Sequence, residues 1–247
     1  MDQFVRTTQK TNWREKVPSR ESQVVTLKKS LRLKAGLATF AQTVAQQLGL
    51  SEWEVEPNTD VYGGRVVIIE GDYDRALHTD LLEGHRQQGN SPIDMLFCIP
   101  PGLMGEHANH EEGLSEVGDM LTTWGYTVWD GTAQATRQTY PVSLDEFRVV
   151  QYDSCRGLEG WTVVNLAFDA LYDYKQHSYE PPEQHDLFFN EHAEAHRYAA
   201  RWLMIPLTRA IDTLVIQVTA PDHPVTEALR AAAAACGDTV NLEWRTL

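Results

Sequence analysis

Three short segments of this 247-residue chain place charged side chains where backbone turns or helix ends can present them. In Val150–Val164, VQYDSCRGLEGWTVV, the residues Ser154, Arg156 and Glu159 surround Gly157 between two apolar stretches. Glycine there permits a tight turn or a close backbone approach to a ligand. Arg156 and Glu159 flank it with opposite charge, and a turn of this kind either faces a ligand or holds a buried salt bridge between two strands. In Arg201–Ala210, RWLMIPLTRA, two arginines bracket an apolar run. Arginine is a permanent, planar, multi-donor cation, which suits the charge that develops in phosphoryl transfer. At a helix end the same residue is favourable to the helix dipole without any further role. The third segment is Leu27–Leu48, where Arg32 precedes an amphipathic stretch.

The elements that must position these residues alternate along the chain. Leu37, Phe40, Ala41, Val44, Ala45 and Leu48 repeat with helical spacing, and Gly49 stands where a C-cap belongs. Val24–Leu27 reads as a short strand and residues 51–64 as a loop. Strands are predicted at Arg65–Glu70, Asp94–Ile99, Tyr126–Trp129, Arg148–Gln151, Thr162–Phe168, Thr213–Val218 and Thr239–Glu243. Helices are predicted at Tyr73–Gln88, Glu111–Trp124, Asn190–Leu207 and Val225–Ala235, with an aromatic and acidic loop over 172–189. Strands alternating with helices of this length imply an α/β fold with a mostly parallel sheet. Residues 1–23 read as a polar N-terminal segment and 24–247 as one domain.

The formal net charge of −14 repels polyanions at long range. A free-standing, non-specific nucleic-acid binder is normally basic, so any contact with DNA has to be local or shared with a partner. Residues 1–34 are the exception, rich in lysine and arginine; a solvated surface or tail is the plain reading of that stretch. Cys98, Cys155 and Cys236 lie far apart, as suits reduced thiols in a cytoplasmic protein. No apolar run is long enough for a bilayer-spanning helix, and no membrane association is expected.

Taken in order, the three segments resemble motifs IV, V and VI of UvrD/Rep-type superfamily 1 DNA helicases. SCRGLE is similar to motif V, and RWLMIPLTRA before a strand to motif VI. LKKSLRLKAGLATFAQTVAQQL is similar to motif IV. DMLFCIP and LTTWGYTVWDG resemble the strand and following unit between them, so the resemblance covers roughly residues 24–219. It implies a RecA-like fold, the second such domain of a motor. It assigns Arg209 as the arginine finger, Arg32 as a second phosphate contact, and Arg201 as an upstream arginine of motif VI. It places Glu159 and Gly157 at the nucleotide, and Ser154, Arg156 and Gln151 at nucleic acid. Met204 and Pro206 depart from the motif VI pattern, and Pro206 is expected to kink or end its helix.

No Gly-Lys dipeptide occurs, so no G-x-x-x-x-G-K-[ST] phosphate loop exists. Ile68-Ile69-Glu70-Gly71-Asp72 reads as a core strand with a solvated end rather than a metal-binding acid pair. ATP and Mg²⁺ are therefore expected only if a first RecA-like domain, in cis or in trans, completes the site. Single-stranded DNA is expected to bind weakly to the chain by itself. His192 and His196 have metal-compatible spacing but read as a solvated helix face, and no metal site is expected. His185 and Asp186 add nothing to it. Trp124, Trp129, Tyr172 and Tyr174 offer ring faces to bases but read mainly as packing. A catalytically inactive helicase-like scaffold that binds a partner protein is the alternative to a motor half, and an independent nucleic-acid-binding protein is a third reading.

Overall fold

The computed structural model describes residues 29–105, 113–182 and 189–247, with side chains from Leu33 onward. Residues 1–23, the strand expected at Val24–Leu27, the side chain of Arg32, the start of the helix expected at Glu111–Trp124, and His185 and Asp186 lie outside the described residues. The elements are β1 (Lys29–Lys34), α1 (Ala35–Gln47), β2 (Glu56–Asn58), β3 (Arg65–Glu70), α2 (Arg75–Gln87), β4 (Met95–Ile99), α3 (Glu116–Thr123) and β5 (Thr127–Asp130). They continue with α4 (Gln134–Arg137), β6 (Glu146–Gln151), β7 (Gly160–Asn165), α5 (Phe168–His177), α6 (Glu191–Leu207), β8 (Ala210–Val218), α7 (Pro224–Cys236) and β9 (Asn241–Thr246).

Seven strands form one sheet in the order β5-β6-β4-β7-β8-β3-β9. All six neighbouring pairs run parallel. Apolar residues on both sides of the strands explain why: RVVIIE and MLFCI have no polar face to offer water, so helices must cover both surfaces. Val66, Ile68, Leu96, Cys98 and Val163 pack under α1, α5, α6 and α7. Val67, Ile69, Phe97, Val149 and Val164 pack under α2 and α3. This is the expected α/β, parallel architecture with helices on both faces.

The differences from expectation are local. Part of the stretch read as a loop over 172–189 belongs to α5, whose Phe168, Leu171, Tyr172 and Lys175 share a buried face. The strand before it stops at Asn165, because Ala167 takes a left-handed conformation (φ 45°, ψ 54°) and turns the chain into the helix. The loop expected at 51–64 contains β2, which pairs in parallel with β1. Pro206 does not end α6, which runs on to Leu207. A proline in the final turn removes one backbone bond, to the carbonyl of Trp202, at a point where the ladder is about to stop anyway.

A close backbone approach fixes the start of α1. The Gly36 amide donates to the Gly63 carbonyl at 3.0 Å, and a Cβ on Gly36 would lie 2.8 Å from that same oxygen. Gly36→Ala is expected to cost about 1–2 kcal/mol through this overlap, read as a lower urea midpoint with an unchanged m-value. An unchanged midpoint would show that the 61–64 segment yields freely.

Candidate functional site

The segments singled out in the sequence meet at one edge of the sheet. In a parallel sheet all strands start at the same edge, and Glu159 and Arg209 immediately precede the neighbouring strands β7 and β8. The Gly160 amide donates to the Arg209 carbonyl at 3.3 Å, tying the two segments together. β1, which carries Arg32, lies against β8 at this end. Lys34 at its end is ion-paired with Asp212 near the start of β8. The backbone of β1 thus brings the third segment to the edge that holds Glu159 and Arg209.

Residues 151 and 159 are separated by the length of a strand. β6 and β7 both run parallel to β4 and flank it. Residues 152–159 must therefore cross over β4 from the end of one strand to the start of the other. They do so on the face covered by α5 and α6, where Tyr152 and Cys155 are buried. Gln151 is left at the far edge from Glu159 and Arg209, so the expected nucleic-acid set of Gln151, Ser154 and Arg156 is strung along the crossing rather than gathered at one point. Ser154 is half-buried, while Gly157 (φ 81°) and Glu159 are exposed.

Three contacts anchor this crossing. Asp153 pairs with Lys175 of α5 at 2.6 Å. Cys155 lies beside Cys98 of β4, and burial with this neighbour pushes the Cys98 thiol well above its usual range. The Arg156 guanidinium stacks on the Trp202 indole of α6, 4.2 Å from the ring centroid. Its Nε and Nη2 atoms are shielded from water. Sequence reasoning passed over Trp202 and Lys175, whose relation to the turn exists only once α5 and α6 are packed over it.

Arg201 of α6 and Arg209, two residues beyond its end, are held by the protein itself. Arg209 donates from Nε to the Ile205 carbonyl (3.1 Å) and from Nη2 to Thr208 Oγ1 (3.0 Å), capping the helix C-terminus. Arg201 is ion-paired with Glu52, and that hydrogen bond is the chief reason the Glu52 carboxyl sits below its usual range. Arg148 donates to the Glu159 carbonyl at 2.7 Å, and Glu159 is an exposed residue.

Other candidates resolve as structure. His196 bridges Tyr172 Oη (2.7 Å) and the Leu48 carbonyl (3.1 Å), so it joins α6 to α5 and to the end of α1 rather than facing solvent as expected; His192 is exposed. Glu70, expected at a solvated strand end, is largely covered and paired with Arg230 at 2.8 Å. A cavity of about 210 Å³ opens at the same sheet edge on the opposite face, lined by Gly63, Gly64, His85, Gln88, Asp212 and Thr213, and includes none of the sequence-picked residues. Among the described residues no group of three or more His, Cys, Asp or Glu is placed to hold a metal. Among them, too, no helix is long and apolar enough to cross a membrane.

No protein-family model matches the chain, and no curated protein does. Among solved structures it is similar to the C-terminal domain of a possible DNA helicase from Lactobacillus plantarum WCFS1. The identity is 11%, the alignment covers 87% of this chain and 98% of that one, and the TM-score is 0.48.

Proposed function

We propose that the chain is the C-terminal, RecA-like motor half of an ATP-dependent superfamily 1 DNA helicase or translocase of the UvrD/Rep type. The observation that carries this reading is convergence. Segments that resemble motifs IV, V and VI, far apart in sequence, meet where β7 and β8 begin, with Glu159 and Arg209 on adjacent chain ends. In the completed motor Arg209 and Arg32 face the nucleotide phosphates and Glu159 its sugar side, with Arg201 and Gly157 supporting them. Ser154, Arg156 and Gln151 lie along the crossing that meets single-stranded DNA.

ATP and Mg²⁺ belong to a site that this chain supplies in part. Arg209 fits the role of a mobile cation, because its Nε and Nη2 donate to neutral acceptors, the Ile205 carbonyl and Thr208 Oγ1, which a phosphate can replace. The phosphate cradle and the metal-holding acids must come from a first RecA-like domain, in cis or in trans. Buried free cysteines suit a reducing cytoplasmic setting.

The test is reconstitution. The chain alone is expected to hydrolyse no ATP, and a first RecA-like domain bearing a phosphate loop is expected to restore DNA-stimulated turnover. Robust hydrolysis by the chain alone, surviving Arg209→Ala, would overturn the reading. The alternative, a catalytically inactive scaffold that binds a partner protein, is favoured by one observation: Arg201 and Arg209 both already have partners within the chain. Partner binding unaffected by Arg209→Ala and Glu159→Ala, with no turnover on reconstitution, would support it.

A further inference from the structure

Trp202 occupies a position that the proposed function leaves unexplained. It is 8% exposed, lies on α6 between Arg201 and Arg209, and receives cations from two other elements. Arg156 from the crossing stands 4.2 Å from its ring centroid. The Lys175 ammonium from α5 stands 3.7 Å from the same centroid. Lys175 is itself 4% exposed and is neutralised by Asp153 of the crossing. A tryptophan face attracts cations electrostatically, most strongly where water is excluded, and among aromatic residues it does so best. The indole thus joins the 153–156 turn, α5 and the helix that leads to Arg209 in one contact set.

We propose that Trp202 is the positioning residue for the nucleic-acid contact of this turn, holding the half-buried Arg156 in place with its Nε and Nη2 turned inward, so that a phosphate meets the guanidinium by its remaining edge. This rests on the reading that Ser154 and Arg156 face nucleic acid. An unstacked arginine must lose side-chain entropy as it binds a phosphate. One already held against an indole has lost most of it beforehand. Trp202 touches no substrate in this scheme and acts only through Arg156. Because it stands on the helix that leads to Arg209, the same contact gives the nucleic-acid turn a direct physical connection to the end proposed to face the nucleotide.

The experiment titrates a fluorescent oligo-dT with the full chain across a series of low salt concentrations. Arg156→Ala is expected to weaken binding about tenfold and reduce the salt slope by about one, as loss of one phosphate contact should. Trp202→Leu is expected to do the same, with Trp202→Phe about threefold weaker than wild type, following the order of cation–π strength. The pair Trp202→Leu with Arg156→Ala is expected to be no worse than either change alone, since both act through one contact. A purely packing role would leave the salt slope unmoved. If Trp202→Leu does not fold, Trp202→Phe carries the test, and wild-type affinity in it overturns the proposal. Loss in Arg156→Ala without loss in the Trp202 variants overturns positioning but leaves the nucleic-acid reading intact. No effect of Arg156→Ala, or no binding by wild type at low salt, overturns the reading and the proposal with it.

Discussion

In a motor completed by a first RecA-like domain, Arg209→Ala lowers ATP turnover by about a thousandfold or more, the usual consequence of removing an arginine finger. Arg209→Lys restores little, because a compact ammonium cannot reproduce the planar fork that bonds two phosphate oxygens at once. The resting geometry frames this expectation. Arg209 now donates to the Ile205 carbonyl and to Thr208 Oγ1, both neutral acceptors. Each such bond is worth about 1 kcal/mol net, whereas charge-assisted bonds to a phosphate are roughly twice as strong. In the completed motor, exchange of these two bonds for charge-assisted ones is the step that the finger role proposed for Arg209 requires. The cap also supplies the control. Losing it destabilises the domain by about 1 kcal/mol, a melting shift of a few degrees. A variant that remains folded at the assay temperature yet has lost turnover identifies chemistry, and a folded variant with wild-type turnover would sink the motor reading in favour of the scaffold.

The same residue shows how far the sequence was readable. Strongly apolar strands declared themselves: RVVIIE was placed at 65–70, where β3 lies, and DMLFCI one residue early for β4. α6 was legible because seventeen residues of helical pattern outweigh one proline near the end. α5 was not, since Phe168 read as the end of the preceding strand and Tyr172 onward as an aromatic and acidic loop, which split its buried face of Phe168, Leu171 and Tyr172. Its start depends on Ala167 in a left-handed conformation, held by a 2.6 Å bond from its amide to Gln217 Oε1 fifty positions away. Strand order is equally non-local: nothing in VQYDSCRGLEGWTVV says that residues 152–159 pass over β4. Of the candidate site, the sequence supplied the residues Glu159 and Arg209 but not their adjacency. It missed Trp202, whose meaning lies in two cations brought to it by other elements.

The largest expected effect on stability comes from the other face of the sheet and is set by pH. His78 is fully buried among Tyr73, Phe97, Trp124, Tyr126 and Phe147. Its Nδ1 meets the Tyr73 hydroxyl at 3.0 Å, and its Nε2 has no hydrogen-bond partner among the described residues. An imidazolium would have to bury its charge in this aromatic nest, and this burial, aided by Arg86, pulls the His78 pKa from 6.5 down to about 4. In the unfolded chain the ring takes up a proton near pH 6.5, while in the native protein it resists until about pH 4. Above 6.5 both states are neutral and stability is undiminished. As pH falls from there the unfolded state binds the additional proton, and the native state loses up to about 3 kcal/mol by pH 4. His85, lowered in the same direction by its own burial, adds to the slope. His78→Phe keeps the ring packing and removes the titration. It orphans the Tyr73 hydroxyl, at a cost of about 1 kcal/mol that does not vary with pH over this range. Urea unfolding at a series of pH values from 7 to 5 separates the two effects: the variant starts less stable and falls less steeply, the difference in slope approaching one proton. Parallel curves for wild type and variant would show that His78 becomes charged inside the fold, and that the aromatic face admits water to reach it.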